Sequence, residues 1–348
     1  MLSRVANTLY WMVRYVERAD NLARLIDVNQ QLLLDSERLD SDRLRGFWQP
    51  IIMSTCDDEA FGKLYDDAGS EEVIRYLTDD PRNPNSIRSC IALARENART
   101  VRDQLSDELW EELNALYLFS RSDEASRLIE SDPQRYYENI RRAAVTFIGV
   151  ASSTTSRNEA WDFMEVGRHL ERADKTTRFL DVSSYLPDGE ESGGASSPAV
   201  LHGTAILRSC GAMGAFRASQ REMTPRGVID FLIFAKDFPR SVRYCMEKVD
   251  VSLHRISGTP RGAFSNEAER EAGRVLAELN FGSAEDVYAA GLHEYLDTLQ
   301  ARFNHIGGEI LETYVLLPER MQSTPLPQAA SAVLSPATWH MEQQQQQQ

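Results

Sequence analysis

The chain has 348 residues, enough to bury a large core as one large domain or as two domains of ordinary size. Its composition, 42% hydrophobic and 26% charged, is typical of a soluble globular protein. The formal net charge of −15 argues against non-specific binding to nucleic acid or to an anionic membrane, because both need a cationic surface, but it leaves room for a local basic pocket.

Hydropathy and the placement of charge argue against two further classes of protein, membrane-spanning and secreted. No stretch approaches the roughly 18 to 20 consecutive apolar residues that a membrane span needs. The first twenty residues contain charged side chains at Arg4, Arg14, Glu17, Arg18 and Asp20, so no secretory signal is predicted. The four cysteines form no Cys-x-x-Cys pair and are expected to be buried thiols. We therefore predict a cytoplasmic protein.

The first predicted element is a long helix from Leu2 to about Ser36. It contains no Pro or Gly, and its apolar residues recur at every third or fourth position. Several charged residues of this helix, among them Arg14, Glu17 and Arg18, lie opposite the apolar stripe. Further helices are predicted at about residues 40–65, 71–77, 86–105, 106–120 and 130–152.

A second long helix is predicted from about Arg157 to Tyr185. It is followed by a loop from Pro187 to Pro198, which is rich in Gly, Ser and acidic residues. Later helices are predicted at about residues 199–221, 225–235, 239–256, 266–279 and 284–316. No segment shows the sustained period-two alternation of a strand, so an all-α fold is predicted. Residues 320–348, rich in Pro, Ala and Ser and ending in glutamines, are predicted to be a disordered tail.

Two stretches of the chain have closely similar sequences. Residues 14–28 return as residues 168–182, an offset of 154, with eight of fifteen positions identical and six of those eight charged. A repeat that preserved only the fold would keep its apolar positions and let surface charges vary. The retained charges therefore indicate a specific role, whether in an ion-pair network or in a binding site.

Other blocks repeat with nearly the same offset. At an offset of 155, Pro84 corresponds to Pro239, and the Ser, Arg and Cys residues that follow also match. We predict a tandem duplication with a pseudo-twofold relation. The first unit spans residues 1–155 and the second 156–319, packed together as one helical bundle.

The repeated charges define the candidate site. Arginine presents a planar fork of donors that suits carboxylate and phosphate groups. If the two long helices pack near the pseudo-twofold axis, their Arg-Glu-Arg sets face each other across a polar cleft. Arg88 and Arg243 are further candidates, because each lies in the first turns of a later helix and helix N-termini attract anions. The candidate ligand- or partner-binding residues are Arg14, Glu17, Arg18, Arg24, Arg168, Glu171, Arg172, Arg178, Arg88 and Arg243.

Three interpretations of the repeated charges stay open at this point. They form a solvated face, an ion-pair network that sets helix register, or a site for a ligand or partner. No catalytic residue, metal or cofactor is predicted, because the sequence has no Glu-x-x-His, His-Glu-x-x-His, Walker A loop or dinucleotide glycine fingerprint. Glu165 and His169 are four residues apart and could pair, while Trp11 and Tyr15 stand at the equivalent positions of the first long helix.

Several motifs together resemble the bacterial alpha-E domain family, an all-helical family named for a Glu-Arg signature. They are the opening segment 2–20, Ser86-Ile87-Arg88, Arg95-Glu96-Asn97-Ala98-Arg99, Leu109-Trp110-Glu111 and the segment 167–174. The combination is specific.

The resemblance covers about residues 1 to 320 and carries the signature onto Glu17-Arg18 and Glu171-Arg172. Family members are encoded beside, or fused to, circularly permuted ATP-grasp proteins and transglutaminase-like proteins. This implies a non-catalytic binding or scaffold subunit of an ATP-grasp amidoligase system, which holds an anionic small molecule, a peptide or a partner at the Arg/Glu cleft. The alternatives are an enzyme of the same peptide-modification pathway, with Glu17 or Glu171 as general base, and a purely structural ion-pair network.

Overall fold

The computed structural model describes residues 1–35, 41–182 and 198–316, and the side chains of residues 1–33, 48–182 and 200–316. Every regular element in these ranges is helical and none is a strand, so the predicted all-α class is confirmed. The predicted tail, residues 320–348, lies outside the described residues. So does the predicted loop from Pro187 to Pro198, except for its last residue.

The helices of the first part differ from the prediction in two places. The helix predicted at 40–65 is two helices, because Cys56 adopts a φ of 58° and ends the first of them. A short helix after Ser122 was missed, although Ser122 followed by two acidic residues is an N-cap signal. The helices are α1 Ser3–Asp35, α2 Ser41–Thr55, α3 Asp58–Gly62, α4 Ser70–Thr78, α5 Ile87–Thr100, α6 Asp107–Ser120, α7 Asp123–Ser131 and α8 Pro133–Thr154.

The second part shows two similar breaks. The helices predicted at 199–221 and 284–316 each divide at a glycine with positive φ, Gly211 at 60° and Gly291 at 87°. Glycine adopts this conformation without steric cost, so it commonly ends a helix. The helices are α9 Glu159–Asp181, α10 Pro198–Ser209, α11 Met213–Ala218, α12 Pro225–Phe234, α13 Val242–Ser257, α14 Glu267–Phe281, α15 Ala284–Ala290 and α16 Leu292–Leu311, and a π-helical turn, Glu312–Leu316, follows.

Helices α1 and α9 lie against each other at the centre of the described fold. Helices α5 and α8 pack on α1, and α13 and α16 pack on α9. Residues 1–316 thereby form one compact unit. Both central helices are covered on most of their surface, so the charged side of α1 is also buried and faces other helices.

The two central helices come closest at Gly167 of α9. A Cβ atom built on this residue would lie 2.4 Å from the carbonyl oxygen of Tyr10 and 3.0 Å from Cγ2 of Val13, both on α1. No side chain fits at 2.4 Å from a backbone atom. The absence of a side chain at this position therefore sets the distance between α1 and α9.

We expect Gly167→Ala to lower the free energy of unfolding by about 1–3 kcal/mol, because the new methyl group must push α1 and α9 apart. Urea unfolding followed by circular dichroism measures the change. Gly149→Ala is the matched control: this glycine lies on the exposed side of α8, and a Cβ there meets no atom within 4 Å. The control variant should gain up to about 1 kcal/mol from helix propensity. Equal effects of the two substitutions would contradict the close approach.

Candidate anion-binding site between the central helices

The Glu-Arg sequences of α1 and α9 pair reciprocally. Glu171 of α9 accepts hydrogen bonds from Nε of Arg14 at 2.8 Å and Nε of Arg18 at 2.7 Å, both on α1. In return, Glu17 of α1 accepts from Nε and Nη2 of Arg172 of α9, at 2.8 and 2.7 Å. The two Arg-Glu-Arg sets therefore face each other, and each glutamate is held by arginine from the other helix.

Both glutamates are ionised in the interior. The Glu171 side chain is 0% exposed and that of Glu17 is 2% exposed. Burial by itself raises the pKa of each carboxyl group, but the facing arginines outweigh it and hold the pKa of both groups well below the usual range. A carboxylate that is fully paired and this weakly basic is a poor proton acceptor.

Outside the central pairs, each long helix carries a second acid–arginine pair. Asp20 and Arg24 pair at 3.0 Å on α1, and Asp174 and Arg178 pair at 2.8 Å on α9. These are ordinary i,i+4 contacts, which helix geometry favours. They occupy equivalent places in the two repeated segments.

Two loop residues complete the cluster, one before α5 and one before α13. Asn85 accepts from Nη1 of Arg18 at 2.7 Å. Arg240 donates through Nη1 to Glu17 at 3.0 Å and to Asn21 at 2.7 Å, and it also pairs with Asp20. Arg240 was not among the predicted site residues. The signal for it was available, because it stands 155 residues after Asn85 in a repeated block.

Three of the predicted site residues form their ion pairs or hydrogen bonds with groups other than the central glutamates. Arg88 lies 3.6 Å from Asp79, and Nε of Arg243 donates to Asn280 at 2.8 Å, so neither guanidinium is directed at the central glutamates. Arg168 is closer to the centre, but its partner is Glu165 of its own helix, at 2.6 Å.

The same Glu165 also lies near a histidine of α9. Its carboxylate is 3.4 Å from Nε2 of His169, so the pair that the spacing allowed is present. Burial lowers the pKa of His169 to about 4. This histidine is therefore neutral near pH 7 and adds no charge to the cluster.

Ion pairs divide the charged cluster into two faces. On the first, which we call the pocket face, four cations share two carboxylates, and the groups are Arg14, Arg18, Lys175 and Arg178 with Glu171 and Asp174. On the second, the paired face, four cations share three carboxylates, and the groups are Arg24, Arg168, Arg172 and Arg240 with Asp20, Glu17 and Glu165. Counted by ion pairs, the pocket face thus has one carboxylate fewer than the paired face.

Two adjoining cavities open on the pocket face. The cation pocket has a volume of about 200 Å³, and it is lined by all four cations of that face together with Asn85, Asp57 and Cys56. The aromatic pocket has a volume of about 360 Å³, and its lining includes Tyr10, Trp11 and Phe163. Both cavities are also lined by Arg14, Arg18 and Asn304, so they meet at the arginines.

One further carboxyl group, Asp57, lines the cation pocket. Its Oδ1 accepts a hydrogen bond from the side-chain Nδ2 of Asn85 at 3.0 Å, and its Oδ2 has no hydrogen-bond partner. Burial raises the pKa of Asp57, with Lys175 and Arg18 opposing the shift. Asp57 and Asp174 are thus the two carboxyl groups that line the cation pocket, against four cations.

The fold and the cluster define a helical protein in which two Glu-Arg sequences, Glu17-Arg18 and Glu171-Arg172, hold the central helices together. The chain belongs to the Alpha-E family, described as a predicted alpha-helical domain with a conserved ER motif, which matches residues 1–315. The family resemblance of the sequence is thereby confirmed.

Curated relatives of the chain are longer proteins. An uncharacterized protein of Mycobacterium bovis and two of Mycobacterium tuberculosis strains are each 26% identical to it over 340 residues. The match covers 92% of this chain but 38% of the relative's length in each case. No solved structure matches the chain.

Two other features are absent from the described part of the chain, a membrane-spanning helix and a metal-binding group. None of the helices there is long and apolar enough to cross a membrane. In the same part of the chain, no group of three or more His, Cys, Asp or Glu side chains is placed to hold a metal ion.

We expect Glu171→Gln to lower the free energy of unfolding at pH 7 by about 3–5 kcal/mol, because it leaves three buried or half-buried cations without their shared carboxylate. The difference from wild type should shrink as the pH falls below 4.5, the ordinary pKa of a glutamate. In that range the unfolded wild-type chain takes up a proton that the folded carboxylate does not, so the wild type loses the stability that the variant already lacks.

Urea unfolding of both proteins at several pH values measures this difference. Glu59→Gln is the control, since Glu59 forms an exposed pair with Lys63 and its loss should leave stability unchanged. A Glu171→Gln variant as stable as the control would show that the central pairs do not hold the fold.

Proposed function

We propose that this protein is a non-catalytic binding subunit that holds an anionic ligand in the cation pocket. The observation that carries the proposal is the lining of the cation pocket, where four cations and only two carboxyl groups, Asp57 and Asp174, surround a cavity of about 200 Å³. Clustered cations withdrawn from water are costly unless they are neutralised. A ligand with a carboxylate or phosphate group supplies the missing negative charge.

Lys175 is the least constrained cation of the pocket face. Its ammonium group lies 3.2 Å from Asp174 and 3.9 Å from Glu171, whereas Arg14 and Arg18 hold Glu171 at 2.7–2.8 Å. An ammonium group has three donors, and these two contacts leave it capacity for another acceptor. The arginines fix the cavity, and Lys175 contributes charge to it.

The structure also bears on the two alternative interpretations. A general-base role for Glu17 or Glu171 is not supported, because each carboxylate is buried, paired and lowered in pKa. The ion-pair network is physically present, and we assign it to the Glu-Arg pairs themselves. Bracing and binding are then separate tasks, the first done by the glutamates and the second by the cations around the cavity.

We further infer that the two halves of the chain, residues 1–155 and 156–319, arose by tandem duplication. The reciprocal Glu-Arg pairs support this, and so do the helix ends at Cys56 and Gly211, which are 155 residues apart and both have positive φ. Superposition of the two halves in an experimental structure tests the idea. A twofold rotation should place Glu17 on Glu171, and unrelated helix orders in the halves would rule it out.

The partner we propose, from the family resemblance, is a circularly permuted ATP-grasp protein, with a transglutaminase-like protein in the same system. The greater length of the curated relatives is compatible with fusion of such a unit to further domains. We expect this chain to co-purify with the ATP-grasp protein encoded nearest to it when both are expressed together. An unrelated ATP-grasp protein is the control, and recovery of both to the same extent would contradict a specific partnership.

Phosphate should stabilise the wild-type protein more than chloride does at equal ionic strength, because a bound anion favours the folded state. At a hundredfold excess over Kd the gain is about 2.7 kcal/mol. The midpoint of thermal unfolding, followed across a phosphate titration, measures the effect. Lys175→Met should reduce the response strongly.

Lys63→Met is the matched control. It removes the same charge from the exposed pair that Lys63 forms with Glu59 just after α3, and Lys63 does not line the cation pocket. It should respond to phosphate as the wild type does. If both variants respond equally, the cation pocket is not where phosphate binds.

A further inference from the structure

One of the positions at which the two central helices differ lies next to the site and is Glu165 in α9 and Trp11 in α1. Glu165 of α9 lies 2.6 Å from Arg168, three residues along the same helix. At the offset of 154 that relates the repeated segments, Arg168 corresponds to Arg14 and Glu165 corresponds to Trp11. The chain thus supplies a local carboxylate to one arginine and an indole ring to the other.

Trp11 forms a flat surface beside Arg14. The guanidinium carbon of Arg14 lies 4.8 Å from the centre of the Trp11 ring and 5.2 Å from that of Tyr10. Such cation–π contacts hold an arginine without neutralising its charge. Arg14 therefore shares Glu171 with Arg18 and Lys175 and has no carboxylate of its own.

The aromatic pocket starts at this point. Tyr10, Trp11 and Phe163 form its wall, and Ile310 and Leu311 of α16 add aliphatic surface. The wall ends at Arg14 and Arg18, where the cavity meets the cation pocket. The aromatic pocket by itself thus has an apolar wall that ends at two arginines, and the cation pocket lies on the same arginines.

We infer that the ligand is an amphipathic carboxylate, an acid whose carboxylate binds at Arg14 and Arg18 and whose aromatic body packs against Trp11 in the aromatic pocket. This inference rests on the proposed function and names the class of ligand. The ligand's carboxylate does for Arg14 what Glu165 does for Arg168. The aromatic ring of the ligand fills the aromatic pocket beside Trp11.

Both parts of such a ligand contribute to binding. A planar carboxylate matches the donor fork of arginine, and an aromatic ring gains from burial against other rings. An inorganic anion leaves the aromatic pocket unfilled, and a neutral aromatic molecule leaves the cations unpaired. The site should therefore prefer a molecule that carries both features.

Isothermal titration with three probes tests this preference. The probes are 3-phenylpropanoate, its neutral amide 3-phenylpropanamide, and propanoate, which lacks the ring. We expect 3-phenylpropanoate to bind at least about tenfold more tightly than either of the others, a difference that corresponds to about 1.4 kcal/mol. A tripeptide that ends in phenylalanine adds a fourth arm: tighter binding than 3-phenylpropanoate identifies a peptide C-terminus as the source of the acid, and weaker binding identifies a free small molecule.

Trp11→Glu is the decisive variant, because it gives Arg14 the local carboxylate that Arg168 already has. We expect it to weaken 3-phenylpropanoate binding at least about tenfold, since the new side chain both neutralises the arginine and removes the ring. Phe281→Glu is the matched control: Phe281 is 90% exposed at the end of α14, so the same kind of substitution there should leave binding unchanged.

Should Trp11→Glu fail to fold, Trp11→Ala answers the same question. It should weaken 3-phenylpropanoate while leaving propanoate unchanged. Equal affinity for the acid and its amide, equal affinity for the acid and propanoate, or undiminished binding by the Trp11 variants would each overturn the inference. If phosphate still stabilises the wild type in those cases, the proposed anion site stands and only the ligand class is wrong; if phosphate has no effect either, both fail.

Discussion

The burial of two ionised glutamates between α1 and α9 is the constraint on which the rest of the structure depends. A carboxylate removed from water is tolerated only when a cation meets it with good geometry. Glu17 and Glu171 meet this requirement through arginines of the opposite helix, which sets the register of the two helices. A slip by one residue would leave both charges unpaired. Gly167 brings the backbones close enough for the contacts to form.

Charge is distributed around this pair in two different ways. On the paired face, Arg240 reaches in from a loop and Asn21 stands on the helix; on the pocket face, Asn85 is in the loop and Lys175 is on the helix. Each face has four cations, but the side chains that reach in from the loops differ in length. The long side chain of Arg240 packs against Glu17, whereas the short side chain of Asn85 borders an open cavity. Two similar segments of sequence thus have different surroundings, and a cavity lies beside Asn85.

The Glu-Arg signature of this protein holds the two central helices together. The residues that repeat most clearly are the ones that brace the helices, and their glutamates are too deeply paired for acid–base chemistry. Besides Arg14 and Arg18, the groups available to a ligand are less regular neighbours, Lys175 and Trp11 among them. Positions at which the halves differ therefore carry more functional information than positions at which they agree.

The sequence by itself determined the all-helical class, the two long helices and the repeated charges of those helices, because helical periodicity and internal repetition can be read along the chain. Spacing alone places Glu17 beside Arg14 on the same helix, three residues away. Only the tertiary structure decided that Arg14 pairs with Glu171, 157 residues away, that Arg240 joins the cluster, and that Arg88 and Arg243 do not. The physical reason is that the partner of a buried charge depends on the distance and register between helices, which packing determines.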